Sequence, residues 1–232
     1  MPSRQKRLLF SLAGLLAFCC VLTAAVSAGL PAWVSGSVLC RSGAEAVNAS
    51  GAELELFLGR VSYGLFRGQR VRKCGLGRRP DRFNFFPDLA GAIPAALHVT
   101  VIFFCGVLIV FSSVAAGFFF FNAFGSPYET LQGPMGLYLW SFICCLCSCL
   151  VMILFAFEVK LGRLSERIAN FDELNHIYQT YTEHYETCFW LLFLIFFLHG
   201  LNILLIRLAG IQFPLREAKK TDLNSGAADL MY

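Results

Sequence analysis

The sequence predicts an all-α transmembrane four-helix bundle that carries a small disulfide-linked, partly β extracellular domain. The 232 residues are 57% hydrophobic and only 15% charged, against about 25% charged residues in an ordinary soluble domain. The mean hydropathy is +0.63. Four stretches contain no Asp, Glu, Lys or Arg, and each is long enough for a single crossing. A net charge of only +4 argues against a strongly basic nucleic-acid binder, and the apolar composition excludes a disordered chain.

The four uncharged stretches set the predicted spans. A helix needs about 20 apolar residues to cross the hydrocarbon core, and backbone groups in lipid must pair within their own segment. We therefore predict transmembrane helices at residues 8–30, 94–121, 136–157 and 188–206. The remaining segments are two tails and three loops: 1–7, 31–93, 122–135, 158–187 and 207–232.

The first span has an alternative interpretation. Arg4, Lys6 and Arg7 precede an apolar run that ends in Val26-Ser27-Ala28, which fits a signal-peptidase site. The apolar region of a cleavable signal is about 7 to 15 residues long. The run here is longer, which favours a retained signal anchor.

The predicted topology places both termini and the loop 122–135 in the cytosol, and the loops 31–93 and 158–187 outside the plasma membrane. The first loop is more basic than the N-terminal tail, but loops longer than about 60 residues translocate largely regardless of charge. Asn48-Ala49-Ser50 in this loop is a glycosylation acceptor. Cys40 and Cys74 are the only cysteines in a long polar segment, and an oxidising lumen favours a disulfide between them over two free thiols.

Local patterns predict structure within the outer loops. Residues 33–39, 61–66 and 83–86 have the β-branched and aromatic residues of strands, whereas 44–58 is more helical. In the second loop, Leu161, Leu164, Ile168 and Phe171 have 3-4-3 spacing and predict an amphipathic continuation of the third span. We expect the domain of the first loop to cover this apolar stripe.

A basic cluster is the most charged feature of the first loop. Seven basic residues fall within sixteen positions against one acid, Asp81: Arg67, Arg70, Arg72, Lys73, Arg78, Arg79 and Arg82. Such a cluster attracts an acidic partner ectodomain or an acidic glycan. A solvated face or contact with lipid headgroups is an equally good interpretation, and the sequence leaves both open.

No pattern in the chain predicts an enzyme, a metal site or a cofactor. Cys144, Cys145, Cys147 and Cys149 are spread around one helix and do not converge, so buried packing or acylation accounts for them. Small residues four apart, such as Ala13 and Ala17, favour close helix packing. Packing within one chain is the preferred interpretation, and homo-oligomerisation is the alternative.

The C-terminal tail ends in Leu230, Met231 and Tyr232. A C-terminal carboxylate with apolar residues at the last and third-last positions can add a strand to a PDZ domain. Endings of this form also arise by chance, so the tail is a candidate binding site for a PDZ scaffold.

Several longer motifs resemble the clarin family across nearly the whole chain. They are Val47-Asn48-Ala49-Ser50-Gly51, Tyr63-Gly64-Leu65-Phe66, Cys74-Gly75-Leu76-Gly77, Phe85-Phe86-Pro87-Asp88-Leu89, Glu166-Arg167-Ile168-Ala169-Asn170-Phe171 and Ala227-Ala228-Asp229-Leu230-Met231-Tyr232. The resemblance implies a glycosylated four-pass protein of sensory-cell projections and synapses, needed for hair-bundle organisation, hearing, balance and photoreceptor maintenance. It also implies cadherin-type, calcium-channel and actin-linked partners.

A more distant resemblance is to claudin-type tetraspan proteins. It rests on Trp33, on Gly64-Leu65-Phe66 and on the Cys40/Cys74 pair. Phe66 replaces the usual Trp of this signature, and Cys40 precedes the triplet instead of following it. We predict a membrane organiser; the alternatives are a channel, an auxiliary channel subunit or a claudin-like adhesion protein.

Overall fold

Four helices of the computed structural model are long and apolar enough to cross a membrane. They are α1 (Arg4–Gly29), α3 (Ala95–Phe124), α4 (Pro134–Lys160) and α6 (Thr187–Leu208). The structure describes residues 4–75, 77–125 and 134–209. The tail residues Leu230, Met231 and Tyr232 and most of the loop 122–135 lie outside this range. The prediction of a multi-pass membrane protein with four spans is confirmed.

A five-stranded antiparallel sheet is formed by the two segments that connect α1 to α3 and α4 to α6. Its strands are β1 (Val34–Cys40), β2 (Leu58–Tyr63), β3 (Arg67–Lys73), β4 (Arg78–Asn84) and β5 (Tyr178–Tyr185). The spatial order is β4-β3-β2-β1-β5, so the strand from the second loop completes the sheet beside β1. A disulfide joins Cys40, at the end of β1, to Cys74, directly after β3. Together with the four spans, these features confirm the predicted fold class, a claudin-like tetraspan.

The sheet contains more strands than the sequence predicted. β3 and β5 were not expected, and of β4 only the last two residues were, because the strand predicted at 83–86 ends at Asn84 and a helical turn (Phe85–Leu89) follows. β3 and β4 are rich in Arg, and β5 mixes Tyr and Thr with charged residues. The helix expected at 44–58 is two short segments, α2 (Arg41–Ala46) and a 3₁₀ turn (Gly51–Phe57). Asn48 separates them with a positive φ of 54°.

The helix expected to continue the third span is also interrupted. α4 ends at Lys160, and α5 (Leu164–Asn170) begins anew after a turn. Arg163 has a left-handed backbone, with φ 48°, which an α-helix cannot contain. Leu164 and Ile168 of the predicted apolar stripe are fully buried, whereas Leu161 is exposed. α5 packs against β1, β3 and β5, so the expected cover for the stripe is present.

Two compact units are distinguished within the chain. The sheet unit contains residues 22–107 and 147–195, and the helical unit contains the described residues among 1–21, 108–146 and 196–232. In the sheet unit, Trp33 is fully buried, donates from Nε1 to the Ser27 carbonyl over 2.7 Å and packs edge-on against Phe155. In the helical unit, Ala13 and Ala17 are fully buried in the unit's own core, as packing within one chain requires.

Candidate docking surface

The sheet has two faces of opposite character, because successive side chains of a strand alternate between its faces. The inner face packs against α5. Its Val34, Val61 and Tyr63 are buried, and the Tyr63 hydroxyl lies 2.9 Å from Ser165 Oγ. Burial raises the pKa of Tyr63 well above its usual value, so this phenol stays neutral. The other face is defined here as the outer sheet face.

Strand register assigns the basic residues to the two faces. Arg70 pairs with Val61, and Arg72 with Arg79, on the inner face. The outer sheet face receives five basic side chains: Arg60, Arg67, Lys73, Arg78 and Arg82. The predicted cluster is therefore divided by the sheet, and Arg60, which lies outside the cluster in sequence, joins its outer part.

Arg70 is the centre of the inner basic group, with only 3% of its surface exposed. Its Nε and Nη2 donate to one carboxylate oxygen of Asp81 over 2.9 and 2.7 Å. Its Nη1 donates to the carbonyls of Ile168 and Phe171, at the C-terminal end of α5, over 2.5 and 2.8 Å. A guanidinium satisfies the last carbonyls of a helix and favours its negative end. Arg70 therefore fastens α5 to the sheet.

Arg72 has a similar internal role. Its Nη1 lies 3.0 Å from Glu173 Oε2, and both side chains are largely buried. It also donates to the Phe171 carbonyl over 3.3 Å. Arg70 and Arg72 therefore bind neither an acidic partner nor solvent or lipid headgroups, because their charges are used within the fold.

The outer basic group has no such internal partners. Arg60, Arg67, Arg78 and Arg82 are exposed, and none forms a salt bridge with any described residue. Lys73 donates only to the backbone carbonyl of Glu55, over 2.7 Å.

The register of the outer group also places like charges together. Lys73 and Arg78 lie directly opposite each other on β3 and β4, an arrangement that destabilises a sheet. The outer group therefore does not serve the stability of the sheet.

Three adjoining concavities follow the outer sheet face. The first, of about 470 Å³, is lined by Arg60, Lys73 and Arg78. The second, of about 520 Å³, contains Arg67 and Arg82. The third, of about 540 Å³, shares residues with both and is lined mainly by polar side chains, namely Ser35, Ser37, Arg60, Ser62, Gln69, Thr182 and His184, with Gly36, Val61 and Val71. The surface thus combines cations over β2 to β4 with hydroxyl groups over β1 and β5.

Three carboxylates lie near the outer sheet face. Glu55 lines the first concavity, and Glu186, directly after β5, is hydrogen-bonded to Ser35. Asp88 accepts from the backbone N–H of Asn84, which lines the second concavity. None of the three forms a salt bridge with the outer arginines. The electrostatic character of the face therefore stays positive.

The positive surface is extended along the strands. Asn84 and Arg78 end the same strand, β4, six residues apart, which corresponds to about 20 Å. Arg67 pairs with Asn84 at one end, and Lys73 with Arg78 at the other. A single layer of lipid headgroups at one end could contact only part of this surface.

A buried histidine and glutamate pair lies in the sheet unit, beside the turn that follows β2. His98 on α3 and Glu158 on α4 are both fully buried, with Nδ1 and Oε1 2.9 Å apart. His98 Nε2 lies 2.7 Å from the Leu65 carbonyl and therefore donates to it. The Phe85 ring stacks on the imidazole with centroids 4.3 Å apart. The pair was not predicted from the sequence, because Glu158 was assigned to the start of an outer loop, whereas it lies inside α4.

The remaining predicted sites lie in the sheet unit or outside the residues that the structure describes. Asn48 is exposed in the turn after α2, where an attached glycan has room. Cys40 and Cys74 have His176 within 4.8 Å of their sulfurs, but both sulfurs are already engaged in the disulfide. Leu230, Met231 and Tyr232 lie beyond the described residues, so the PDZ-binding tail stays a prediction.

Comparison with known proteins identifies the family. A family model described as Clarin-2-like matches residues 5–206, which is most of the chain. The chain belongs to the clarin family. Clarin-1 of Mus musculus and Clarin-1 of Homo sapiens are each 55% identical to this clarin over 232 residues, covering 100% of both chains. Clarin-2 of Mus musculus is 35% identical over the same full length. The family resemblance found in the sequence is confirmed, and the names of these relatives describe no catalytic activity.

Proposed function

We propose that this clarin is a non-enzymatic organiser of membrane protein complexes in sensory cells, and that its outer sheet face docks the acidic ectodomain of a membrane partner. The observation that carries the proposal is the set of exposed cations on one sheet face without salt bridges inside the described fold. Like charges held opposite each other cost stability, and a complementary acidic surface removes that cost.

The chemistry of the face favours an acidic protein surface over the other candidates. Charged groups at an interface steer the encounter and fix the orientation of a partner. The hydroxyl groups of Ser35, Ser37 and Thr182 on the neutral half suit the polar rim of a protein interface. Lipid headgroups would reach only one end of the outer sheet face. An acidic glycan is the remaining alternative, and enzymatic removal of glycans distinguishes it from a protein partner.

The proposal requires the sheet to be extracellular. Two features support that topology, with both termini in the cytosol: the exposed acceptor Asn48 and the disulfide between Cys40 and Cys74. We expect Asn48→Gln to lower the apparent mass of the protein by one glycan on a gel. If neither Asn48→Gln nor glycosidase treatment of the wild type changes the mobility, the extracellular placement of the sheet is contradicted.

Family membership suggests where this organiser acts. By resemblance to clarins, we propose roles in hair-bundle organisation and at the ribbon synapse, in hearing and balance, and in photoreceptor maintenance. The partners proposed on the same basis are cadherin-type proteins, calcium-channel complexes and actin-linked proteins. A PDZ scaffold bound by Leu230, Met231 and Tyr232 would supply the cytosolic link.

Proximity labelling in sensory cells tests the docking proposal. The test variant neutralises two outer cations, Arg67→Gln and Arg82→Gln. The control variant, Arg41→Gln and Arg163→Gln, removes the same charge from exposed positions outside the outer sheet face. We expect the test variant, but not the control, to lose the labelling of a partner whose ectodomain is acidic.

The outcomes separate the candidates. Equal labelling by both variants would overturn the proposal. Loss of labelling that sialidase or heparinase treatment of wild-type cells reproduces would assign the surface to a glycan instead. Aggregation of cells that express only this protein, sensitive to the same two substitutions, would favour an adhesion protein.

A further inference from the structure

A second polar site lies within the helical unit, among residues that the proposed function does not use. It consists of Ser112 on α3, Ser141 and Cys144 on α4, and His199 and Asn202 on α6, defined here as the polar layer. All five side chains are fully buried. Ser141 and Cys144 are three residues apart, as are His199 and Asn202, so each pair lies on one face of its helix.

Three of the five side chains of the polar layer are hydrogen-bonded to one another. Ser112 Oγ donates to Cys144 Sγ over 3.4 Å. Ser112 Oγ also lies 3.0 Å from His199 Nε2. Because the serine hydroxyl has a single proton, His199 Nε2 donates to Ser112. The neutral imidazole then has its other nitrogen, Nδ1, free as an acceptor.

Three side chains of the polar layer have atoms with no partner among the described residues. Four buried atoms are involved: Ser141 Oγ, His199 Nδ1, Asn202 Nδ2 and Asn202 Oδ1. Leaving a buried donor or acceptor unpaired costs about 1–3 kcal/mol. Within a membrane, no bulk water can reduce this cost.

Three other polar side chains on the transmembrane helices are hydrogen-bonded to backbone carbonyls. Ser113 Oγ donates to the Ile109 carbonyl over 2.8 Å, and Thr100 Oγ1 to the Ala96 carbonyl over 2.8 Å. Ser148 Oγ donates to the Leu192 carbonyl over 2.6 Å. Ser27 Oγ on α1 and Trp140 Nε1 on α4 are also unpaired among the described residues, but each is a single atom, whereas the polar layer has four unpaired atoms on three side chains.

We propose that the polar layer is a binding site for ordered water inside the membrane-spanning helices. Asn202 offers two N–H donors and one acceptor, Ser141 offers a hydroxyl, and His199 Nδ1 accepts. This mixture suits water, which makes two to four hydrogen bonds in buried polar sites. A metal ion would find no carboxylate in the layer to balance its charge, and an apolar ligand would leave all four atoms unpaired.

The bound water gives the helical unit a polar linkage. Water bridging α4 and α6 satisfies both helices without a direct side-chain contact. The inference is independent of the docking surface, because it involves no residue of the sheet unit.

Radiolytic hydroxyl labelling of the full chain in lipid nanodiscs tests the proposal, because X-rays generate hydroxyl radicals from water next to the side chain that is oxidised. His98 is the matched control for His199. Both are fully buried, but both nitrogens of His98 have protein partners, Glu158 and the Leu65 carbonyl. We expect mass spectrometry to show His199 oxidised several-fold faster than His98. Equal protection of the two histidines would overturn the water site.

A pair of substitutions extends the test. Asn202→Leu removes the amide, and we expect it to slow the oxidation of His199 while His98 stays protected as a sign of intact folding. The Ser113 hydroxyl is already hydrogen-bonded within its own helix, so Ser113→Ala should change neither oxidation rate. If Asn202→Leu does not fold, Ser141→Ala takes its place. Unchanged His199 oxidation in a folded variant, or a higher Tm for Asn202→Leu, would contradict the proposal.

Discussion

The two faces of the sheet use the same kind of residue in opposite ways. On the inner face, Arg70 is buried and bound by Asp81 and by two carbonyls of the α5 end. On the outer face, Arg67 and Arg82 are exposed in a concavity without a salt bridge. Arg67 and Arg70 lie on the same strand, only three residues apart. The comparison shows that strand alternation, and not local composition, decides which charges build the fold and which are available to a partner.

This difference has an energetic counterpart. Removing one member of a buried, hydrogen-bonded charge pair costs about 3–5 kcal/mol. Exposed substitutions away from such features usually change stability by less than about 0.5 kcal/mol. Mutations on the two faces should therefore separate stability from binding.

The largest effect is expected for Arg70→Met. The substitution leaves Asp81 without its partner and the carbonyls of Ile168 and Phe171 without a donor. Because the Asp81 side chain is 39% exposed and water partly solvates it, we expect a loss of about 3 kcal/mol, the lower end of the range for a buried charge pair. A thermal unfolding scan of the full chain in detergent measures it, together with the fraction delivered to the cell surface. Arg78→Met is the matched control on the outer face and should behave as the wild type. Equal stability of the two variants would remove the distinction between the faces.

The disulfide beside the same sheet should have a comparable effect. Cys40 and Cys74 close a loop with a sequence separation of 34, for which the chain-entropy model gives about 4 kcal/mol. Cys40→Ser, Cys74→Ser and the double variant should therefore lower the Tm and the surface delivery equally. Additive losses in the double variant would show that the two residues act separately.

A smaller effect is expected at Tyr63, on the inner face. Tyr63→Phe removes the hydrogen bond to Ser165, which is worth about 1 kcal/mol.

The same substitution should alter the pH dependence of stability. Burial raises the pKa of Tyr63 in the fold. The unfolded phenol therefore ionises first, and the native state loses stability as the pH rises above about 10. Tyr63→Phe should make alkaline unfolding less steep between pH 9 and about 11, as measured by Tm against pH. An identical slope in the variant would contradict the assignment.

The smallest effect on stability is expected on the outer face. The double variant Arg67→Gln and Arg82→Gln removes no internal contact of either charge, so its Tm should lie within experimental error of the wild type. Relief of the repulsion between neighbouring cations would even raise it slightly. A clear loss of stability would mean that these arginines have a structural role.

Much of this architecture could be predicted from the sequence, because lipid imposes a simple rule on composition. Four uncharged stretches predicted four spans, and the cysteines of the first loop predicted the disulfide. The strand β3 and the Arg-rich part of β4 could not be predicted, because Arg side chains conceal the two-residue alternation when both faces carry charge. The strand register pairs Arg60 on β2 with Val71 on the neighbouring β3. The sequence of one strand alone does not show which residues of another strand lie opposite it.

The polar interior was harder to predict for a related reason. His98 and Glu158 are distant in sequence and meet only in the fold. Glu158 is the charged residue at the end of an uncharged stretch. Because charged side chains generally avoid the membrane, it was assigned to the loop that follows. The buried histidine partner offsets the cost of the carboxylate, and that compensation depends on tertiary structure.

The most direct test of the central claim uses a defined acidic probe. Fluorescent poly-glutamate is titrated against the full chain in neutral-lipid nanodiscs, with the Arg67→Gln and Arg82→Gln variant and the Arg41→Gln and Arg163→Gln control measured in parallel. We expect saturable binding that weakens with salt and that falls severalfold in the outer-face variant only. Equal affinity of both variants for the probe would contradict the claim that the outer sheet face is the acidic-partner docking surface.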